Sequence, residues 1–385
     1  MGGSSMGVGM IGYSFMGAVH SHAWRTVGRV FDLGVDVDMR VICGRNDEAV
    51  TAAAAKYGWQ SAETDWRAVI ARDDIDIIDV CTPGSSHEEI AVAALNAGKH
   101  VICEKPLANT VAEAERMAAA AQASSGKSMV AFNYRRVPAL AYARELVQQG
   151  RLGRIFHVRA VYLQDWIIDP EFPLVWRLVK EEAGSGALGD LGAHIVDAAQ
   201  FVTGSQITNV SGELRTFIDE RPLVGETHLL EATKSAERGK VTVDDAALFL
   251  ANFDNGAVGT FEATRFASGR KNGMAIEVNG EKASLRFEFE SMNELWVHDH
   301  TVDGKDAGFR RVMVTESDHP YVEGWWPPGH VLGYDHTFTH EFRDFVLDIV
   351  NDRAPEPSFA DGLYVQRVLD AVERSAQAQS VRTNV

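Results

Sequence analysis

Residues 6–133 alternate short apolar runs with stretches of helical periodicity, and that alternation leaves few folds open. Runs rich in Val, Ile and Met stand at 6–11, 37–43, 75–81, 100–104 and 129–133. Between them, 16–31, 47–57, 65–71, 86–97 and 111–123 space their apolar residues for one face of a helix. Gly58 and Gly98 fall where two of these stretches stop. Strands separated by one or two helices cannot pair as tight hairpins. They line up in parallel, with crossover helices on the faces of the sheet. The expected first domain is an α/β, doubly wound parallel sheet.

From residue 154 the pattern changes to longer runs of Val, Phe and Thr, at 154–164, 246–253, 256–266, 274–280 and 282–290. Asn255-Gly256 and Asn279-Gly280 read as type I′ hairpin turns between such strands. One helix is expected near 190–202 and two more near 337–352 and 361–376. The organisation that follows is a dinucleotide-binding domain over 1–133 and an α+β domain over 134–385. The second domain carries a large open, mainly antiparallel sheet, and the C-terminal helices are free to pack back on the first.

A net charge of −17 argues against nucleic acid or an anionic membrane surface as partner, because both need clustered Lys and Arg. No uninterrupted apolar stretch is long enough to span a bilayer. Cys43, Cys81 and Cys103 each close an apolar run, an odd set without metal-ligand spacing. They read as buried free thiols of a cytoplasmic protein, and no metal site is expected.

Open α/β sheets bind ligands at the carboxyl ends of their strands, and polar residues gather at those ends here. Gly7-Val8-Gly9-Met10-Ile11-Gly12 fits G-x-G-x-x-G but falls inside the first strand. Gly12-Tyr13-Ser14-Phe15-Met16-Gly17 has the right place, with Ser14 for the middle glycine. Gly12, Ser14, Phe15 and Met16 are therefore candidate pyrophosphate contacts at a helix N-terminus. After the second strand, Gly44, Arg45 and Asn46 stand where an acid would bond the ribose of NAD, or an Arg the 2′-phosphate of NADP. Both cofactors remain open. Cys81, Thr82, Pro83 and His87 follow the next strand, with a packing or capping role for His87 as the alternative. Glu104, Lys105 and Pro106 follow the one after, where a partly desolvated Lys105 can exchange protons.

In "EEAGSGALGDLGAHIVD" the glycines keep the backbone open as a helix begins. Asp190 and His194 are four apart and share a helix face, with Asp197 a turn further on. A carboxylate beside an imidazole orients a general base. A capping Asp with an ordinary histidine is the alternative, and too few ligands gather here to favour a metal.

The strand-1 glycines, "EKP" and "GALGDLGAH", in this order and spacing, resemble the Gfo/Idh/MocA family, which contains glucose–fructose oxidoreductase and inositol dehydrogenases. The resemblance covers almost the whole chain. It runs from "IGYSFMGAVHS", with His20 matching the family's His three residues after the last Gly, through "CTPGSSHEEIAVAALNAGKHVICEKPLA" to the late "FADGLYVQRVLDAVERSA". It implies a Rossmann domain, then a domain whose open sheet supports the substrate site and a homodimer or homotetramer contact. It also implies that Lys105 contacts the substrate hydroxyl and that His194, beside Asp190, is the general acid/base. The implied reaction moves a hydride between NAD or NADP and a secondary alcohol of a sugar, sugar derivative or inositol. Ser14, Gly44 and Gly84 depart from the family pattern, Gly84 standing where many members carry Asn. These departures bear on the cofactor more than on the reaction.

Arg135, Gln164, Trp166, Trp176 and Arg177 add donors and aromatic platforms of the kind carbohydrate sites use, completing a substrate-binding set with Lys105, Asp190 and His194. For both Arg135 and Arg136, pairing with acids is the alternative to binding an anionic substituent. Trp325-Trp326, beside two prolines, suits a lid, a substrate wall or a subunit contact. Two other functions fit the resemblance: redox-neutral glycoside cleavage through transient oxidation with tightly bound NAD, and a non-catalytic NAD(P)-binding regulator. A regulator is expected to lose the Lys or the His, and this chain keeps both.

Overall fold

In the computed structural model, which describes residues 5–228 and 231–385, the alternating N-terminal segments form a six-stranded parallel sheet. Its strands are β1 (Ser5–Ile11), β2 (Asp36–Cys43), β3 (Ser61–Glu63), β4 (Ile77–Val80), β5 (His100–Glu104) and β6 (Ser128–Ala131), in the order β3-β2-β1-β4-β5-β6. The order reverses beside β1. That creates the switch point at which such sheets take ligands. Five helices connect the strands: α1 (Phe15–Val30), α2 (Asp47–Tyr57), α3 (Trp66–Ile70), α4 (His87–Asn96) and α5 (Val111–Ala123). Local chemistry sets their ends. Asn46 accepts the Ala49 N–H at the start of α2, left-handed Gly58 ends it, and a Thr110/Glu113 capping box opens α5.

This first unit comprises residues up to Arg136 together with 323–326 and 332–364. The helix Tyr334–Val350, numbered α9 below, therefore belongs to it. Val8, Met10, Ile42, Ile77, Ile102 and Met129 of the sheet share one core with Trp24 and Val27 of α1 and with Phe338, Phe342 and Phe345. Trp24 stacks on Phe342 with ring centroids 4.1 Å apart. The apolar face of the late helix finds its partner here.

The second unit comprises 137–322, 327–331 and 365–385. It contains α6 (Pro138–Gln148), β7 (Ile155–Leu163), α7 (Lys180–Ala183), and a π turn (Leu188–Gly192) that leads into α8 (Ala193–Thr203). There follow β8 (Ile207–Arg215), β9 (Glu220–His228), β10 (Glu231–Lys240), β11 (Ala246–Phe253), β12 (Val258–Thr264), β13 (Gly273–Gly280), β14 (Ala283–Glu288), β15 (Glu294–Asp299) and β16 (Arg310–Met313). After α9 (Tyr334–Val350) come α10 (Phe359–Gln377), whose first residues belong to the first unit, and β17 (Thr383–Asn384). The large sheet has the order β16-β15-β14-β13-β7-β12-β11-β8-β17. Only β7 and β12 pair in parallel among its described strands, so it is mainly antiparallel as expected. β9 and β10 form a separate antiparallel pair.

Neither Asn-Gly pair makes the expected two-residue turn. Phe253 accepts the Gly256 N–H at 3.0 Å, and only Gly256 in that loop has positive φ, at +87°. This is a three-residue loop, a type I turn followed by a left-handed glycine. At the second pair, Asn279 is opposite Ser284, so Glu281 and Lys282 occupy the turn. Gly280 pairs with Ile155 of β7, which carries β13 past the expected corner. The helix expected at 190–202 also starts differently, through the π turn, where the Ala193 N–H bonds the Leu188 carbonyl.

Candidate functional site

The connection between β1 and α1 is the second glycine frame. Gly7 and Gly9 lie within β1, while Gly12, Tyr13 and Ser14 span the turn to Phe15. Gly12 has φ +112°, and a Cβ there would lie 2.6 Å from the Cys81 carbonyl oxygen. Only glycine fits. Ser14 is the N-cap of α1 but makes no side-chain cap bond. Ser14 and Phe15 are exposed and Met16 half-buried. The first N–H groups of a helix lack intrahelical partners and favour an anion. A pyrophosphate fits this turn, with no side chain at Gly12 and a hydroxyl at Ser14.

At the carboxyl end of β2, a Cβ on Gly44 would lie 2.0 Å from the Tyr13 ring. Tyr13 thus fills the space that an acid would occupy. Arg45 is exposed. The Asn46 amide oxygen, expected to meet the cofactor, accepts the Ala49 N–H at 2.9 Å as a helix cap. A similar exchange occurs beyond β4, where a Cβ on Gly84 would lie 2.3 Å from the Asn109 amide oxygen. Thr82 accepts the Ser86 hydroxyl at 2.7 Å, and Pro83 is exposed. His87 is buried. Its Nε2 lies 2.8 Å from the Thr82 carbonyl and its Nδ1 3.1 Å from that of Pro106, and burial lowers its pKa. It pins the loop after β4 to the loop after β5.

His20 and Glu104 meet in a buried polar cluster. His20 Nδ1 lies 3.0 Å from both Asp79 oxygens and 3.1 Å from Cys81 Sγ, and its Nε2 lies 2.9 Å from Glu104 Oε1. Burial pushes the His20 pKa down, but Asp79 and Cys81 together outweigh it, and the net result lies well above the usual value. Burial, then Asp79, pushes the Cys81 thiol up. His20, Asp79 and Cys81 offer three atoms within 4.8 Å of one another. Each already has hydrogen-bond partners within the cluster. Glu104 Oε2 accepts the Lys105 N–H at 3.0 Å, and the half-buried Lys105 precedes a cis bond to Pro106. Of the residues expected to touch a dinucleotide, Cys81, His87 and Glu104 thus turn their side chains inward, because neighbours in the interior bind them. Arg135 is buried in the short helical turn after β6. Arg136 pairs with Asp344 at 2.8 Å, the structural one of its two expected roles. Trp325 donates to His340 Nε2 at 2.7 Å and is structural, whereas Trp326 is 63 % exposed.

In the second unit Asp190 lies inside the π turn and His194 on the first turn of α8. π turns are rare and concentrate at functional sites. The Asp244 carboxylate fixes the entry, accepting the N–H groups of Gly186 and Leu188 at 2.8 Å each, and burial raises its pKa. Asp190 Oδ2 accepts from Arg265 Nη2 at 2.9 Å, across 75 positions of sequence. Arg265 is fully buried, also donates to the carbonyls of Gly186 and Arg177, and lies 5.4 Å from the centroid of the Trp166 ring. The buried His194 ring packs edge-on to Tyr162 at 5.7 Å. Tyr162 Oη and Gln164 Nε2 both donate to Asn272 Oδ1, at 2.6 and 3.1 Å, and Gln164 Oε1 accepts from Trp166 Nε1 at 2.9 Å. Trp176 is exposed, with the Arg177 guanidinium 4.4 Å over its ring. Asp197 is buried in α8. An oriented carboxylate and a buried imidazole beside bonded amides suit proton transfer at a hydroxyl-rich ligand.

Sequence reasoning missed Asp79, Arg265, Asn272 and Asn109. One signal for Asp79 was present: an acid between Ile78 and Val80 in a strand buried on both faces needs a partner.

Residues 6–132 match the family model described as an oxidoreductase family with an NAD-binding Rossmann fold, and residues 140–286 match the GFO/IDH/MocA C-terminal domain. The chain is similar to levoglucosan dehydrogenase of Pseudarthrobacter phenanthrenivorans, with 42 % identity over 98 % of this chain and 97 % of that one. Its fold matches the crystal structure of an oxidoreductase domain protein from Kribbella flavida, at 61 % identity, TM-score 0.95 and 99 % coverage of both chains. It also matches levoglucosan dehydrogenase solved with NADH and levoglucosan, at 41 % identity, TM-score 0.93, covering 99 % of this chain and all of that one.

Proposed function

This chain belongs to the Gfo/Idh/MocA family of oxidoreductases with an NAD-binding Rossmann domain, and from that premise we propose that it is an NAD-dependent dehydrogenase of a sugar secondary alcohol, with levoglucosan as the first substrate to test. The observation that carries this reading is Asp190, held by buried Arg265 in a π turn that runs directly into the helix bearing His194. The turn before α1 takes the pyrophosphate, and the nicotinamide, when bound, supplies the two-electron acceptor. Lys105 contacts the reacting hydroxyl, His194 takes its proton, and Asp190 keeps the imidazole oriented. Gln164, Trp166, Trp176, Arg177 and Arg135 hold the remaining ring and its hydroxyls.

Buried Cys43, Cys81 and Cys103, all free thiols, support a cytoplasmic setting. No described helix is long and apolar enough to cross a membrane. Exposed Leu248, Leu250 and Val258 on one stretch of the large sheet support its use as a homodimer or homotetramer contact.

The test is NAD⁺ reduction followed at the absorbance of NADH, with levoglucosan, free hexoses, methyl glycosides and inositols in parallel. Turnover of levoglucosan or another sugar is expected. Tight NAD⁺ binding with no reduction by any of them would overturn the dehydrogenase reading.

A further inference from the structure

A buried polar chain in the first unit leads out to Lys105, and the roles above leave it unused. Trp24 Nε1 donates to Asp79 Oδ2 at 2.7 Å, Asp79 faces His20 Nδ1, and His20 Nε2 lies 2.9 Å from Glu104 Oε1. Glu104 Oε2 accepts the Lys105 N–H at 3.0 Å. His20 and Asp79 are 0 % exposed and Glu104 5 %. Phe338 and Phe342 of α9 close over the His20 ring at 5.4 and 5.0 Å. Both ring nitrogens face carboxylate oxygens, a setting that favours the protonated ring. Its raised pKa agrees.

Ionised groups at this depth carry a large desolvation penalty, and an apolar core of similar volume is commonly at least as stable. Stability alone does not account for them. The chain ends at the backbone of Lys105, and its other side is fixed too, since His87 binds the Pro106 and Leu107 carbonyls.

We propose that His20 is a positioning residue. By holding Glu104 Oε1 it orients the carboxylate whose other oxygen fixes the Lys105 main chain, and so sets where the Lys105 amine meets the reacting alcohol. The proposal rests on the reading of Lys105 as the residue that contacts the substrate hydroxyl.

A double-mutant cycle tests it: Glu104→Gln, Lys105→Ala and the pair, with kcat, KM and NAD⁺ affinity measured for each. Glu104→Gln should lower kcat roughly 10–10²-fold, the worth of one charge-assisted hydrogen bond, with NAD⁺ affinity within about twofold. In the Lys105→Ala background the same change should cost less than about threefold, because the residue it acts through is gone. A merely structural role would lower the folded fraction and multiply through both backgrounds, and that result would overturn the proposal. So would parent kcat in Glu104→Gln. Should that variant fail to fold, His20→Asn enters the same cycle with the same expectations. Undiminished turnover in Lys105→Ala would refute the reading of Lys105 itself, a separate failure that removes the proposal with it.

Discussion

Replacing Gly12 by Ala separates two costs that the structure assigns to one atom. Gly12 has φ +112°, and the new Cβ would sit 2.6 Å from the Cys81 carbonyl oxygen and 2.7 Å from its carbon. Gly256 supplies the control, since it has φ +87° and nothing within 4 Å of the position a Cβ would take. Gly256→Ala should therefore lose only the backbone term, roughly 1–2 kcal/mol. Gly12→Ala adds an overpacking term of roughly 1–3 kcal/mol, for a total of roughly 2–5 kcal/mol. Relief requires the turn to move away from β4, and the turn carries the N–H groups at the start of α1. NAD⁺ affinity should fall at least ~10-fold in Gly12→Ala, or ~1.4 kcal/mol, and stay at the parent value in Gly256→Ala. Urea unfolding and calorimetric titration of NAD⁺ read the two quantities. The reasoning fails if both variants lose similar stability and Gly12→Ala binds NAD⁺ as the parent does.

His194→Ala should lower turnover roughly 10²–10⁴-fold with NAD⁺ affinity unchanged, the usual contribution of a general acid/base; parent turnover would end that assignment. Arg265→Met leaves Asp190 without its cation and should lower kcat roughly 10–10²-fold, with partial recovery in Arg265→Lys; equal rates in all three proteins would show that Asp190 needs no such support. The first unit should lose stability as pH rises from about 6.5 to 8. Buried Glu341 has no hydrogen-bond partner among the described residues and is pushed up to about 8, chiefly by burial, so the folded state keeps a proton that the unfolded state releases. His20, raised by its acid partners, acts in the same direction, whereas buried His340, pushed down to about 3, affects stability only below its unfolded value of ~6.5. Glu341→Gln should make the urea midpoint less dependent on pH across that window, and an unchanged slope would assign the effect elsewhere.

Much of the architecture was legible because it is written in local patterns. Short apolar runs and period-3.6 spacing, with Gly58 and Gly98 where two helices stop, marked the five helices and five of the six strands of the parallel sheet, but not β3, whose three half-buried residues are too few to show a pattern. The position of the candidate pyrophosphate turn followed from strand 1 ending at Ile11, before the residue that must be glycine. The turns were less legible. Asn-Gly marks a corner only if the neighbouring strand stops there, and pairing of Gly280 with β7 carried β13 onward.

The candidate site divides in the same way. Asp190, His194 and Lys105 stood out as candidates in sequence because each sits in a short run whose spacing and neighbours mark it. What holds them was not. Arg265 reaches Asp190 across 75 positions, and His20 reaches Glu104 across 84. The two glycines that departed from pattern, 44 and 84, are filled by Tyr13 and Asn109, each from a separate segment. Sequence by itself marked which residues are candidates for chemistry and which strand ends present them, since those depend on neighbours in the chain. The tertiary structure alone decided which charges pair in the interior and which side chains fill a neighbour's space. Those choices depend on distances between segments, and desolvation makes them energetically large only once the chain has closed around them.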